Sequence, residues 1–201
     1  MISKQNLQSI ITKYHLGEIE HVKWEIEDNS LQIDFITPSN MVLGTVKCAD
    51  FPLEDADLAI YNTKKLANLV AICNGDLLLE IEKQNKLLLK LNISDSNFNL
   101  SYALSDPLLI KKVGKAKPVN TWGIELILEH EEISNILRAK GAMSEIDNFL
   151  VTTTQNLDGE NVCELVFGDE YGHNNKVTYQ LQGIINKENL KIKYNSNMLR
   201  T

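Results

Sequence analysis

Apolar and polar positions recur along the chain with two periods, one helical and one alternating, and each predicts one kind of element. Residues 3–14 show the helical period, because Leu7, Ile10, Ile11 and Tyr14 fall on one face and the intervening positions are polar. Ser3 is of a residue type that caps helix N-termini. The pattern therefore predicts a first helix from Ser3 to about Tyr14 that buries one side.

The segment AIYNTKKLANLVAIC at 59–73 carries the same helical period. Its apolar stripe consists of Leu66, Leu69, Val70 and Cys73. The opposite side holds two adjacent lysines, Lys64 and Lys65, and no acidic residue. We predict a second helix here, with a basic outer face.

A third helix is predicted from Glu131 to about Lys140, with acids in its first turn, where the helix dipole favours them. We expect Ile133, Ile136 and Leu137 to point inward, and Asn135 and Arg138 to point outward. A fourth helix would begin at Met198-Leu199-Arg200 after a cap within Asn195-Ser196-Asn197.

Strand-like segments, several of them alternating, fill the intervals between the helices. The predicted strands are 21–27, 30–36, 41–48, 76–83, 86–93, 97–104, 121–129, 146–154, 161–169, 176–184 and 190–194. Short polar turns such as Asp28-Asn29 join neighbouring strands, which indicates antiparallel hairpins. The fold class is therefore α+β.

The order of a helix followed by three or four strands recurs along the chain and predicts two similar domains. The segment LLIKKVGKAKPVN at 108–120 has four lysines, a glycine and a proline without periodicity, which is typical of a linker. We place the first domain at 1–112, the linker at 113–120 and the second domain at 121–201. The second domain is expected to be incomplete at its C-terminal end, because its last helix has barely begun.

Composition fits an ordinary globular protein, with 43% apolar and 23% charged residues among 201 and a net charge of −7. No apolar run is long enough to span a membrane, and the N-terminus lacks the pattern of a signal peptide. Three separated cysteines, Cys48, Cys73 and Cys163, argue against a disulfide framework or a zinc site. We expect a reducing, cytoplasmic environment.

Catalytic motifs are absent from the sequence, so an enzyme, a cofactor or a metal site is not expected. His15, Glu18 and His21 are the nearest approach to a ligand cluster, but they straddle a predicted helix end and do not share a face. Asp55 and Asp57 are expected to precede a strand, and the sequence identifies no partner residue for either carboxylate.

Charge divides unevenly between the helices and the rest of the chain. The helices carry lysines and arginines, whereas most of the acids belong to strands and loops. Glutamate favours helices as well as lysine does, so its near absence there is informative. If the helices share one side of the sheets, that side is basic and suits the phosphate backbone of a duplex, which attracts cations regardless of sequence.

Three stretches carry a resemblance to a known family: DADLAIYNTKKLANLVAICNGDLLLEI (55–81), HEEISNILRAKG (130–141) and IDNFLVTTTQNLDGENVCELVFGDE (146–170). They resemble the sliding clamps of DNA replication, most closely the polymerase processivity factor of T-even-like bacteriophages, which is related in fold to proliferating cell nuclear antigen. The resemblance implies the DNA-clamp fold, in which two similar domains carry antiparallel sheets with helices on one face.

The resemblance further implies a non-enzymatic homotrimeric ring that encircles double-stranded DNA, tethers the DNA polymerase and is loaded by an ATP-dependent clamp loader in an infected bacterial host. The residues that would face DNA are Lys4, Lys13, Lys64, Lys65, Arg138, Lys140 and Arg200. The residues expected to dock a partner peptide are Leu108, Leu109, Ile110, Pro118 and Val119. Rings of this family close by pairing edge strands, which here would be 97–104 and 176–184.

Two other hypotheses remain open at this point. The protein would otherwise be a β-rich phage structural or interaction protein whose helix lysines only solubilise it. An enzyme acting on nucleic acid would require clustered carboxylates or histidines in a cleft, and the sequence offers none.

Overall fold

The structure is a computed structural model that describes residues 1–85, 87–114, 119–156, 158–169, 175–196 and 199. The chain divides into two compact units, Met1–Ala116 and Lys117–Thr201. Among the described residues, no helix is long and apolar enough to cross a bilayer.

Unit 1 consists of β1 (Ile2–Ser3), α1 (Lys4–His15), β2 (Val22–Glu27), β3 (Ser30–Ile36), β4 (Leu43–Cys48), β5 (Ala56–Ile60), α2 (Thr63–Ile72), β6 (Asp76–Gln84), β7 (Leu87–Ser94) and β8 (Asn99–Ala103). Two antiparallel sheets have the strand orders β4-β3-β2-β5 and β1-β6-β7-β8. Unit 1 therefore contains a strand, a helix and three strands, twice. The first strand of each half pairs with the sheet of the other half, β1 with β6 and β5 with β2.

Both helices of unit 1 begin and end where local chemistry dictates. The Ser3 side chain accepts a hydrogen bond from the Asn6 N–H at 3.2 Å, and Asn62 caps α2 in the same way. Leu16 ends α1 in the left-handed conformation with φ 47°. The predicted limits of the first helix are thus confirmed within a residue or two.

One core cluster of unit 1 receives the apolar stripes of both helices and of both sheets. Val22, Trp24 and Ile26 of β2 point into it at every second position, and Trp24 is fully buried. Asp28 and Asn29 form the predicted turn with positive φ angles of 49° and 57°. α1 and α2 also contact each other, so the two helices are neighbours over one core and each leaves a polar face exposed.

Unit 2 consists of β9 (Ile124–Glu125), α3 (His130–Ala142), β10 (Asn148–Gln155), β11 (Asn161–Gly168), β12 (Lys176–Leu181), β13 (Ile184–Ile185) and β14 (Lys191–Asn195). Its four-stranded sheet has the order β12-β11-β10-β14, which repeats the order β4-β3-β2-β5 of unit 1. β9 pairs with β13 in a separate two-stranded sheet. The second unit therefore repeats the plan of the first half of unit 1.

Three expectations for unit 2 are wrong, of which the first two concern a strand and a side chain expected to be buried. The predicted strand 121–129 is reduced to Ile124–Glu125, and Ile133 of α3 is 44% exposed although it was expected to face inward. The equivalent position in α1, four residues after the N-cap, is Leu7, which is fully buried. The difference follows from neighbours, because α2 packs on α1, whereas α3 has no second helix beside it within the described part of unit 2.

Asn135 also departs from the prediction. It was expected to point outward, but it is half-buried and its Nδ2 donates a hydrogen bond to the Tyr179 hydroxyl of β12 at 3.3 Å. An amide can bond to a tyrosine at the edge of a helix–sheet interface, so polarity alone did not fix the direction of this side chain.

The predicted fourth helix falls mostly outside the described residues, which exclude Asn197, Met198 and Arg200. Ser196 lies just after β14, is buried, and donates its hydroxyl hydrogen to the Ile146 carbonyl at 2.5 Å. Part of the predicted linker, residues 115–118, is also outside the described part of the chain.

Candidate nucleic-acid interface

The two helices of unit 1 lie side by side and run antiparallel. At one end, Lys4 of α1 donates from Nζ to the Ala71 carbonyl near the end of α2, at 2.7 Å. At the other end, the Thr63 N–H that begins α2 donates to the carbonyl of Glu20, a few residues after α1, at 3.1 Å. The N-terminus of each helix therefore lies near the C-terminus of the other.

This antiparallel packing brings three of the predicted DNA-facing lysines to one end of the helix pair. Lys13 lies in the last turn of α1, and Lys64 and Lys65 lie in the first turn of α2. All three are exposed, and none of them forms an ion pair with a carboxylate of the described residues. We refer to Lys13, Lys64 and Lys65 as the cationic end.

Lys4 lies at the opposite end of the pair, and its ammonium is committed to the α2 terminus. A cation at a helix C-terminus satisfies a carbonyl that has no partner within the helix and interacts favourably with the helix dipole. Lys4 is half-buried. The structure therefore gives this side chain a packing role that the sequence pattern did not reveal.

The remaining predicted DNA-facing residues belong to α3 or lie beyond it. Arg138 is exposed, with one guanidinium nitrogen 3.5 Å from the Asn135 Oδ1. Lys140 is half-buried and donates from Nζ to the Leu199 carbonyl at 2.6 Å, so it resembles Lys4 more than Arg138. Arg200 lies outside the described residues.

Acidic side chains are missing from α1 and α2 and are confined in α3 to its first turn, where Glu131 and Glu132 lie. At the cationic end, among the described residues, a carboxylate from a loop also contacts the helix pair. Glu20 accepts a hydrogen bond from the Lys64 N–H at its Oε2, at 3.3 Å. The cationic end is thus bordered by one acid that is fixed on the first turn of α2.

The strands of unit 1 carry most of the ion pairs in the described residues. Lys83 contacts Glu54 at 2.7 Å and Lys90 contacts Glu82 at 3.2 Å. Asp57 was expected to precede a strand without a partner, but it lies within β5 and accepts from Lys23 at 3.2 Å. Three strand lysines, Lys23, Lys83 and Lys90, are therefore paired with acids, in contrast to those of the cationic end.

A groove in unit 1 was not anticipated from the sequence. A cavity of about 360 Å³ lies along strands β3 and β4 and the start of the predicted linker. The residues lining it are Gln32, Asp34, Leu43, Gly44, Thr45, Lys47, Val113 and Gly114. A Cβ at Gly44 would overlap the ring of Phe35, its cross-strand partner, which explains why a glycine stands there.

Of the residues predicted to dock a partner peptide, the four that the structure describes do not line this groove. Leu108 and Leu109 lie in a short 3-10 turn and are 90% and 76% exposed, Ile110 is half-buried and Val119 is 50% exposed. Pro118 lies outside the described residues. Leu43 is the one strongly apolar side chain of β4 at the groove. It lies in the strand predicted at 41–48, but nothing in the sequence marked it as a binding residue.

β8 and β12 are edge strands, as are the other terminal strands of the described four-stranded sheets. β8 has β7 as its only strand neighbour, and β12 has β11 as its only strand neighbour, among the strands of the described residues. These are the strands expected at 97–104 and 176–184. An open edge presents unpaired backbone donors and acceptors to another chain.

The polar groups near the end of α1 form no metal site. Within the described residues there is no group of three or more histidine, cysteine, aspartate or glutamate side chains placed to hold an ion. The Nδ1 of His15 instead lies 2.9 Å from the Ile19 carbonyl.

Comparison with known proteins identifies the fold. No protein-family model and no curated protein matches the sequence. The structure superposes on A. fulgidus proliferating cell nuclear antigen bound to the C-terminal region of FEN-1, with TM-score 0.70 and 12% identity over 98% of this chain and 79% of that chain. The corresponding protein of Entamoeba histolytica gives TM-score 0.68 and 14% identity, over 98% and 79%.

The Helicobacter pylori beta clamp gives TM-score 0.59 and 12% identity, over 98% of this chain and 53% of that one. The chain therefore spans about half the length of the beta clamp. With two similar units of antiparallel sheets and few helices, matched along nearly their whole length, this chain has the DNA-clamp fold.

Proposed function

We propose that this protein is a sliding clamp of the T-even-like phage type, a non-enzymatic ring around duplex DNA that tethers a DNA polymerase in the cytoplasm of an infected bacterium. The observation that carries the proposal is the cationic end. Its three lysines have no ion-pair partner among the described residues, and they lie on two helices that carry no acidic residue. The chain as a whole has a net charge of −7. The clamp fold supports it independently of charge.

Lys13, Lys64 and Lys65 attract the phosphate backbone as point charges on flexible stems. Such contacts depend on salt and not on base sequence, and they let a protein move along the duplex. Arg138 contributes from α3 in the same way. Lys4 and Lys140 hold backbone carbonyls, so we assign them a smaller part in contacting DNA.

We propose that three copies close the ring by pairing β8 of one copy with β12 of the next. The open edges of both strands support this arrangement. An ATP-dependent clamp loader would open and close it.

We assign partner docking to the groove beside Leu43 and Val113, together with the exposed turn at Leu108 and Leu109. A peptide of the polymerase would place apolar side chains there. The A. fulgidus relative carries the C-terminal region of another protein, FEN-1, which supports the idea of a clamp that binds short partner segments.

The test uses a topologically closed DNA circle loaded with the protein and then exposed to high salt. A threaded ring should stay on the circle after salt has abolished its phosphate contacts, and should leave quickly once the circle is cut. Rapid loss from the intact circle would refute encirclement.

Charge-reversal variants test whether the lysines of the cationic end matter more than other exposed lysines. Lys64→Glu with Lys65→Glu should reduce loading or sliding strongly. The matched control is Lys187→Glu with Lys193→Glu, because both lysines are exposed and lie outside the helices, the proposed docking groove and the edge strands β8 and β12. Equal activity of both double variants would favour the alternative function, a β-rich phage interaction protein whose helix lysines only solubilise it.

A further inference from the structure

Glu20 occupies an unusual place at the cationic end. It follows α1, precedes β2 and is half-buried, and both of its acceptor groups contact the first turn of α2. Its carbonyl accepts from the Thr63 N–H and hydroxyl at 3.1 Å and 3.2 Å, and its carboxylate accepts from the Lys64 N–H at 3.3 Å. A negative charge is therefore fixed beside two lysines that face solvent.

The first turn of α2 has no free donor left for an incoming phosphate. The N–H groups of Thr63 and Lys64 are used by Glu20, and that of Lys65 is used by the Asn62 side chain at 2.8 Å. Helix N-termini otherwise attract anions through these groups and the helix dipole. Glu20 thus fills with its own carboxylate the position where a phosphate would be held most firmly.

We propose that Glu20 is a built-in anionic competitor that keeps the attraction between the cationic end and duplex DNA weak. The inference rests on the proposed function and adds a residue that sets its affinity. With Glu20 in place, a phosphate at the cationic end contacts only the ammonium groups of Lys13, Lys64 and Lys65. Without its charge, the same lysines and the α2 dipole hold the duplex more tightly and movement along it slows.

Other charged groups near the end of α1 do not share this position. Glu18 is half-buried and one of its carboxylate oxygens is fully enclosed without a hydrogen-bond partner. His15 is turned toward the Ile19 carbonyl, and His21 is exposed at the start of β2. Glu20 is the carboxylate that directly contacts α2, so its charge is the one to remove.

The experiment compares Glu20→Gln with wild type in binding a fluorescent 30-base-pair duplex, over a series of salt concentrations. Glutamine keeps an oxygen that can accept from the Lys64 N–H and removes only the charge. We expect tighter binding at low salt by about threefold, from the Coulomb energy of a unit charge at close range. The difference should shrink as salt screens it.

The matched control is Glu27→Gln, which makes the same charge change at an exposed position at the far end of β2. An equal gain in both variants would mean that net charge alone is responsible and would overturn the inference. Glu20→Asp keeps the charge on a side chain one methylene shorter and should stay closer to wild type than Glu20→Gln does. A gain as large as that of Glu20→Gln would also count against the inference.

Failure of the proposed function would look different. If wild type and Lys64→Glu bind the duplex equally poorly at low salt, the interface itself is refuted. If wild type binds and Lys64→Glu does not, but Glu20→Gln matches Glu27→Gln, only the role of Glu20 is refuted. Thermal unfolding of each variant verifies that the compared proteins are folded.

Discussion

Lys4 and Lys140 each donate a hydrogen bond to a backbone carbonyl of their own unit, at 2.7 Å and 2.6 Å. Lys13, Lys64 and Lys65 have the same side chain and no such partner among the described residues. The resemblance predicted that all five face DNA, although helical spacing already put Lys140 near the buried stripe of its helix. Which carbonyl lies within reach depends on elements distant in the chain, so only the structure separates anchoring lysines from exposed ones.

Tyr102 is a second residue whose role depends on a distant element. It lies on β8, is nearly fully buried, and its hydroxyl accepts from the Asn62 N–H at 2.9 Å and faces the Asn62 carbonyl at 3.2 Å. Tyr102→Phe should lower the free energy of unfolding by about 1 kcal/mol, since both groups of the α2 cap lose a partner. Chemical denaturation measures this loss.

Tyr61→Phe is the control for that measurement. Tyr61 contacts the Tyr102 ring at a centroid distance of 6.0 Å and is more exposed. Its variant should stay near wild type. An equal loss in both variants would show that the bond to Asn62 contributes nothing particular.

Asp95 makes stability depend on pH. Its carboxylate accepts from the N–H groups of Asn97, Asn74 and Phe98, at 2.6–2.7 Å, and these bonds hold its pKa below the ordinary value. Because the folded state favours the ionised form, this stabilisation is present above the ordinary carboxyl pKa and is lost as pH falls through the lowered one.

The prediction concerns Asp95→Asn. Its melting temperature should lie below that of wild type at neutral pH, and the gap should close as the solution is acidified below about pH 4. Glu80→Gln removes an exposed carboxylate and should show no gap at any pH. A gap for Asp95→Asn that persists in acid would argue against the ionised carboxylate as its cause.

At the scale of elements, the antiparallel helix pair separates the lysine that holds a backbone carbonyl, Lys4, from the lysines for which we propose a contact with DNA. Lys4→Met should lower the free energy of unfolding by about 0.5–1 kcal/mol, through loss of the charged contact at the α2 terminus, with little change in duplex affinity. Lys13→Met should lower the affinity for duplex DNA and leave the free energy of unfolding nearly unchanged. Denaturation and duplex-binding measurements on both variants check this, and a uniform effect on either quantity would contradict the division.

The sequence predicted secondary structure well where it depends on residues that are close in the chain. The apolar stripe of α1 and the alternating residues of β2 are buried as predicted, and Ser3 caps α1 as predicted. Prediction failed at 121–129 and at Ile133, because their burial depends on which other elements pack there. The groove beside Leu43 and the contact of Glu20 with α2 join segments far apart in sequence, and no local pattern encodes them.

At the scale of the whole molecule, the proposed ring makes a prediction about mass. If β8 and β12 pair between copies, the protein at micromolar concentration should sediment with three times the chain mass of 22.7 kDa. Sedimentation equilibrium measures this without reference to shape. A single-chain mass over the whole concentration range would contradict ring closure by these edges.

The open edges on β8 and β12 belong to different strands, so the proposed contact between copies would be head-to-tail. Such contacts end in a closed circle only if each step turns the next copy by the right angle, and otherwise continue as helical filaments. Substitutions that alter the twist of either edge would then produce fibres, visible in electron micrographs, without unfolding the chain.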